Sequence, residues 1–203
     1  MVSTLTARCT SFLEQQLDAE NAAMLLQQSF LFDEVALADS CLQKIQQQTQ
    51  EVFASESFIH SSNEVLKTVL QSDILNVTEI QVFNACIHWA KVKCRTQGIM
   101  ESSENIKTAL DDLIYLIRFP TMTQDQFAHC DLPLEILGES EILMMFRYFD
   151  GEKIEDKMPF NTKLRQRQLK ECEMICKYRG FIRFKRLHLQ CQHCGLFSET
   201  GSY

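Results

Sequence analysis

Four cysteines near the C-terminus are the first candidates for chemistry. Three residues separate Cys172 from Cys176 and two separate Cys191 from Cys194, with His188 and His193 close by. Two thiolate pairs of this kind can close a tetrahedral zinc site, and Cys-x2-Cys is a common half of one. The first pair departs from the usual half-site, with three intervening residues and no knuckle glycine; Gly195 follows only the second pair. Zinc therefore competes with a plainer reading, incidental thiols on a divergent tail. The other five cysteines, Cys9, Cys41, Cys86, Cys94 and Cys130, stand among apolar residues, where a free thiol packs as a small hydrophobe.

Catalytic constellations are scarce. There is no Gly-rich phosphate loop, no Gly-x-Ser-x-Gly elbow and no His-Glu-x-x-His. His88 adjoins Trp89 on or beside an apolar stripe and reads as a partly buried histidine satisfied by a carbonyl; His60 and His129 show no evident partner. Asp111 and Asp112 are a poor acid/base dyad, because adjacent helical residues point about 100° apart. The chain is read as a non-enzyme.

The elements that must position these residues are helical. Of 203 residues, 45% are hydrophobic and 23% charged, globular proportions, while only 6 Gly and 3 Pro are present. So few turn formers exclude a wholly β fold. Apolar residues recur at helical spacing, as at Cys9, Phe12, Leu13 and Leu17, or at Val82, Phe83, Cys86, Trp89 and Ala90. Asn21, Asp33, Ser62, Thr78, Ser103, Thr123 and Ser140 stand where helix caps are expected, Gly98 is a natural helix stop, and Pro120 ends a helix near Phe119. The prediction is an all-α array of about eight short helices in antiparallel pairs, with a basic C-terminal extension of undefined structure. The Gln46–Gln50 patch reads as a solvated helix end.

Charge divides the chain. Residues 1–150 carry 9 Lys+Arg against 21 Asp+Glu, a net −12, while residues 151–203 carry 11 against 6, a net +5. A helical domain over 1–150, a charged linker over 151–161 and a basic Cys-containing tail over 162–203 are predicted. So acidic a body disfavours nucleic-acid binding. No apolar run is long enough for a membrane span, and the N-terminus lacks a basic start with an apolar run behind it. An odd cysteine count without such a leader reads as reduced thiols, and the expected location is cytoplasmic.

The order of motifs resembles the BACK domain, the helical module that follows the BTB/POZ domain in many cullin-3 ubiquitin-ligase adaptors. The resemblance rests on Cys9-x-x-Phe12-Leu13-x-x-x-Leu17-x-x-x-Asn21, on Gln28-Ser29-Phe30-Leu31-Phe32-Asp33-Glu34, and on Ser55-Glu56-Ser57-Phe58. Further on come Leu70-x-x-Asp73-x-Leu75-x-Val77-x-Glu79, Val82-Phe83-Asn84-Ala85-x-x-x-Trp89 and Ile117-Arg118-Phe119-Pro120-x-Met122. It spans about residues 8–150, and the Phe-Asp-Glu and Ile-Arg-Phe-Pro elements are most similar to the BTB–BACK–PHR subfamily. The resemblance implies a rigid arm that positions substrate for ubiquitination, with cullin-3 and a BTB domain as partners. It also implies that Phe12, Leu13, Leu17, Leu75, Phe83 and Trp89 are packing residues. In the family the first helix pair lines a groove for the N-terminal extension of cullin-3, which makes Phe12, Leu13, Leu17, Met24 and Leu25 partner-binding candidates, though an amphipathic helix buries its apolar stripe first. No BTB domain precedes the resembling region, and Phe181-Ile182-Arg183-Phe184 with Gly195-Leu196-Phe197 only faintly resembles the start of a PHR sandwich. The alternative function is a zinc-stabilised basic tail that binds nucleic acid or an acidic protein from a helical platform.

If Cys172, Cys176, Cys191 and Cys194 hold zinc, elemental analysis of the purified chain will find one zinc per molecule and a chelator will unfold the tail. A metal-free chain removes that reading.

Overall fold

Short amphipathic sequences separated by polar caps leave few options but a helical array, and the computed structural model shows one. It describes residues 2–128 and 135–166. Ten α-helices are found among them: α1 (Val2–Gln15), α2 (Ala22–Leu31), α3 (Val35–Gln47), α4 (Thr49–Ala54), α5 (Glu56–Ile59), α6 (Asn63–Gln71), α7 (Glu79–Thr96), α8 (Ser103–Leu110), α9 (Gln124–Ala128) and α10 (Glu139–Phe149). Short 3-10 turns cover Asp111–Leu116, Phe119–Thr121 and Glu155–Lys157. No strand occurs among the described residues beyond one isolated parallel bridge, Ile74 with Gln166.

Local chemistry sets most helix ends. The Ser62 hydroxyl accepts from the Val65 N–H, and the Gln81 side chain accepts from the Thr78 N–H, closing the N-terminus of α7. The C-terminus of α7 is a Schellman motif: Gly98, at φ 69°, donates to the Arg95 carbonyl while Ile99 donates to that of Cys94. Three predicted caps are displaced by one or two residues: Glu34, Ser102 and Gly138 precede the helices, not Asp33, Ser103 and Ser140. Asp33 instead takes φ 54°, a left-handed turn that an aspartate tolerates and that lets α3 fold back against α2. Asp111, at φ 48°, ends α8 well before Pro120, and both Asp111 and Asp112 are exposed. Within the glutamine patch, Thr49 is fully buried: its hydroxyl donates to the Ile45 carbonyl and accepts from the Asn76 N–H.

The core runs the length of the array and is centred on α7, whose Val82, Phe83, Cys86, Trp89 and Ala90 face inward. The Trp89 indole donates to the Ser61 carbonyl at 3.0 Å, and the Lys93 ammonium lies 4.7 Å above the ring. Beyond α7 the rings form a connected set. Phe119 touches Phe83 at 5.6 Å, Phe127 at 5.9 Å and Phe160 at 5.1 Å between centroids, and Phe127 in turn meets Phe146 and Phe149. Phe160 and Ile154 are buried, so residues 151–161, read from sequence as a charged linker, lie partly against the helices. The same holds for Arg165, which the charge division assigns to the tail. It is buried against α7, and residues up to Gln166 belong to the same compact unit as the helices.

Three other rings converge on Phe119, which is fully buried. Phe119→Ala is expected to lower unfolding stability by about 3–5 kcal/mol, read from denaturant titration, with the steepness of the transition unchanged.

Candidate partner-binding surface

The first two helices are joined by a locked turn. The Asp18 N–H donates to Asn21 Oδ1 and the Asn21 N–H to Asp18 Oδ1, while the Asn21 amide donates to the Gln16 carbonyl at 2.8 Å. Helix α1 rests on α3, where the Thr10 hydroxyl reaches Glu34 at 3.3 Å and the Ser40 hydroxyl reaches Glu14 at 3.0 Å. The five candidates from the sequence divide across this pair. Leu25 is buried in the core, and Leu13 and Leu17 are half-buried against it. Phe12 and Met24 point outward, with 61% and 50% of their surfaces exposed. Phe12 is therefore not the packing residue its motif position implied, because Thr10 and Leu13 of α1, with Leu17 just after it, turn toward the body and leave Phe12 exposed.

Three apolar residues that the sequence reading did not select are also exposed. Leu31, Phe32 and Val35 flank the Asp33 turn, each about 70% exposed. The available signal was the uninterrupted Phe30-Leu31-Phe32 run, which outlasts α2 and so cannot all face one core. The surrounding charge is predominantly negative. Residues 8–40 contain Arg8 against Glu14, Asp18, Glu20, Asp33, Glu34 and Asp39, a net −5. An apolar face with such a rim accepts an apolar segment bearing basic residues and repels an acidic one.

Other polar groups give no reaction centre. His88 is exposed, not partly buried, and lines an open groove of about 280 Å³ between α4 and α7 with Gln50, Phe53, Val77, Gln81 and Asn84. His60, which has no evident partner in the sequence, lies 3.2 Å from Glu56 one helical turn away. No cluster of potential metal ligands occurs among the described residues; Cys172, Cys176, Cys191 and Cys194 lie outside them, as do His129 and Cys130. No helix among the described residues is long and apolar enough to cross a membrane.

The model of one family, BACK, described as BTB And C-terminal Kelch, matches residues 22–130. The chain belongs to the BACK family. BTB/POZ domain-containing protein 3 of Mus musculus and of Homo sapiens are each 36% identical to it over 166 residues, which is 82% of this chain and 31% and 32% of theirs. BTB/POZ domain-containing protein 6-A of Danio rerio is 36% identical over 149 residues, 73% of this chain and 28% of its own length. The BACK chain thus spans about a third of the length of the curated relatives it matches. Membership of this family supports an adaptor-type role in protein interaction.

In this BACK domain the thiols differ sharply in access. Burial pushes Cys41 up to about 12, helped by the charge of Glu14; burial also pushes Cys86 up to about 12, with Glu79 raising it and Arg165 opposing. Cys9 is exposed on α1. Brief iodoacetamide treatment at pH 8, read by peptide mass mapping, is expected to modify Cys9 and to leave Cys41, Cys86 and Cys94 untouched until denaturant is added.

Proposed function

We propose that the chain is a non-enzymatic interaction module of a cullin-3 ubiquitin-ligase adaptor, acting as a rigid arm between a BTB domain and a bound substrate. The observation that carries this reading is the division of the first helix pair. Leu13, Leu17 and Leu25 anchor it to the core, which frees Phe12 and Met24 for a partner. Side chains held on packed helices present their contact surface with little ordering cost on binding. The acidic rim supplies steering toward a basic segment, as the N-terminal extension of cullin-3 would require. The mechanism is positional: the array holds its ends at a set separation, so ubiquitin transfer to a bound substrate gains from proximity and not from chemistry performed by this chain.

The test compares a BTB domain alone with the same domain joined to this chain, each titrated against the N-terminal part of cullin-3. The joined form is expected to bind about tenfold more tightly, or about 1.4 kcal/mol. Phe12→Asp with Met24→Asp should abolish that gain without shifting the unfolding midpoint, since neither side chain is buried. Equal affinity of the BTB domain with and without the chain would overturn the proposal.

A further inference from the structure

Residues 158–166 are bound to the helical body in the manner of a docked peptide, and their principal anchor is a guanidinium. Arg165 is 8% exposed, and all five of its N–H donors are used. Nε donates to Glu79 Oε2 at 3.0 Å, and Nη2 to Glu79 Oε1 at 3.3 Å and to the Leu116 carbonyl at 2.9 Å. Nη1 donates to the carbonyls of Leu70, at 2.7 Å, and of Ser72. The acceptors come entirely from the body. Leu70 O lies in the last turn of α6 and Leu116 O at the end of a 3-10 turn, where carbonyls have no partner within their own helix and carry the negative end of its dipole. The Glu79 carboxylate, 8% exposed at the first position of α7, completes the ring.

A second anchor lies five residues earlier. Phe160 is 5.8 Å from Tyr115 and 5.1 Å from Phe119 between ring centroids. Just after Arg165 the backbone is held as an added strand would be, the Gln166 N–H donating to the Asp73 carbonyl at 2.7 Å and the Leu75 N–H to the Gln166 carbonyl at 3.1 Å, and between the two anchors Arg118 Nη1 donates to the Lys163 carbonyl at 3.0 Å. The family match ends at residue 130, ahead of this segment.

We propose that the body carries a guanidinium-recognition site, and that residues 158–166 are its resident ligand, a Phe-x4-Arg segment bound in cis that latches the chain to the domain at Gln166. Five acceptors around one plane suit a guanidinium and no other biological cation. A lysine ammonium offers three donors that do not lie in a plane and would leave carbonyls unsatisfied. The site therefore takes a free alkylguanidinium when the resident side chain is removed.

The test uses the whole chain. Arg165→Ala should lower Tm by about 6–15 °C, the loss expected when a buried carboxylate is stripped of its cation. Ethylguanidinium at millimolar concentration should raise the Tm of that variant by several degrees along a saturating curve, whereas ethylammonium should not. Adding Glu79→Gln should abolish the rescue. Equal effects of the two cations, or no saturable rescue, would overturn the proposal. Should Arg165→Ala fail to fold, Arg165→Lys retains the charge without the planar fork. It should melt below the parent chain and exchange the Leu75 and Gln166 amide hydrogens at least tenfold faster; values equal to the parent's would equally overturn the site.

Discussion

The carboxylate of Glu79 is the group around which the described chain is arranged. It opens the longest helix, lies out of solvent, and is a charge that an apolar interior does not tolerate alone. Arg165 supplies the counter-charge, and the Arg118 N–H donates to the same carboxylate at 2.8 Å. The Arg118 guanidinium then pairs with Asp73, by hydrogen bond first and charge second, and holds that carboxyl below its ordinary range. Asp73 thus contributes stability at neutral pH that is lost as acid protonates it through its lowered folded value. The turn after α6, the start of α7, the first two 3-10 turns and the segment before Gln166 are all tied to these few groups. Such a pair adds little to net stability compared with a well-packed apolar core. What it does is permit one arrangement of four separate segments, since any other leaves a buried charge unmatched.

The body and the interaction face obey opposite rules. Around α7 the buried large side chains pack against rings or aliphatic groups, and polar groups brought inside find partners, as the Trp89 indole does in the Ser61 carbonyl and the Thr49 hydroxyl in Ile45 and Asn76. On α1 and at the Asp33 turn, apolar groups stand in water next to carboxylates. Exposed Phe, Leu, Met and Val beside mostly acidic groups are unfavourable for an isolated domain and useful for one that meets a partner. The two regions share helices: the residues that seat α1 and α2 on the body also determine which of their neighbours are left outside.

Much of this was legible in the sequence because it depends on near neighbours. Helical spacing identified the apolar stripe of α7, Thr78 and Gly98 marked its ends, and the ordered motifs pointed to the BACK family that the comparison shows. The failures were local signals outweighed by distant ones. Asp33 has the side chain of a cap, but packing of α3 against α2 places it in the left-handed turn one residue earlier. Phe12 occupies a motif position shared with core residues, yet its exposure depends on how α1 rolls against α3. The charge division near Gly151 is real, but it hid Phe160 and Arg165, whose partners lie roughly 40 to 95 residues earlier in the chain.

The sequence alone therefore determined the all-α class, the helix starts it marked to within two residues, the family and the acidic character of the body, all of which follow from periodicity, short-range capping and composition. Only the tertiary structure decided which apolar side chains face water, and that Arg165 is a buried anchor and not one more basic residue of the tail. Burial is a property of the packed whole. A guanidinium is soluble or structural according to whether acceptors from other parts of the chain converge on it, and no window of neighbouring residues records that convergence.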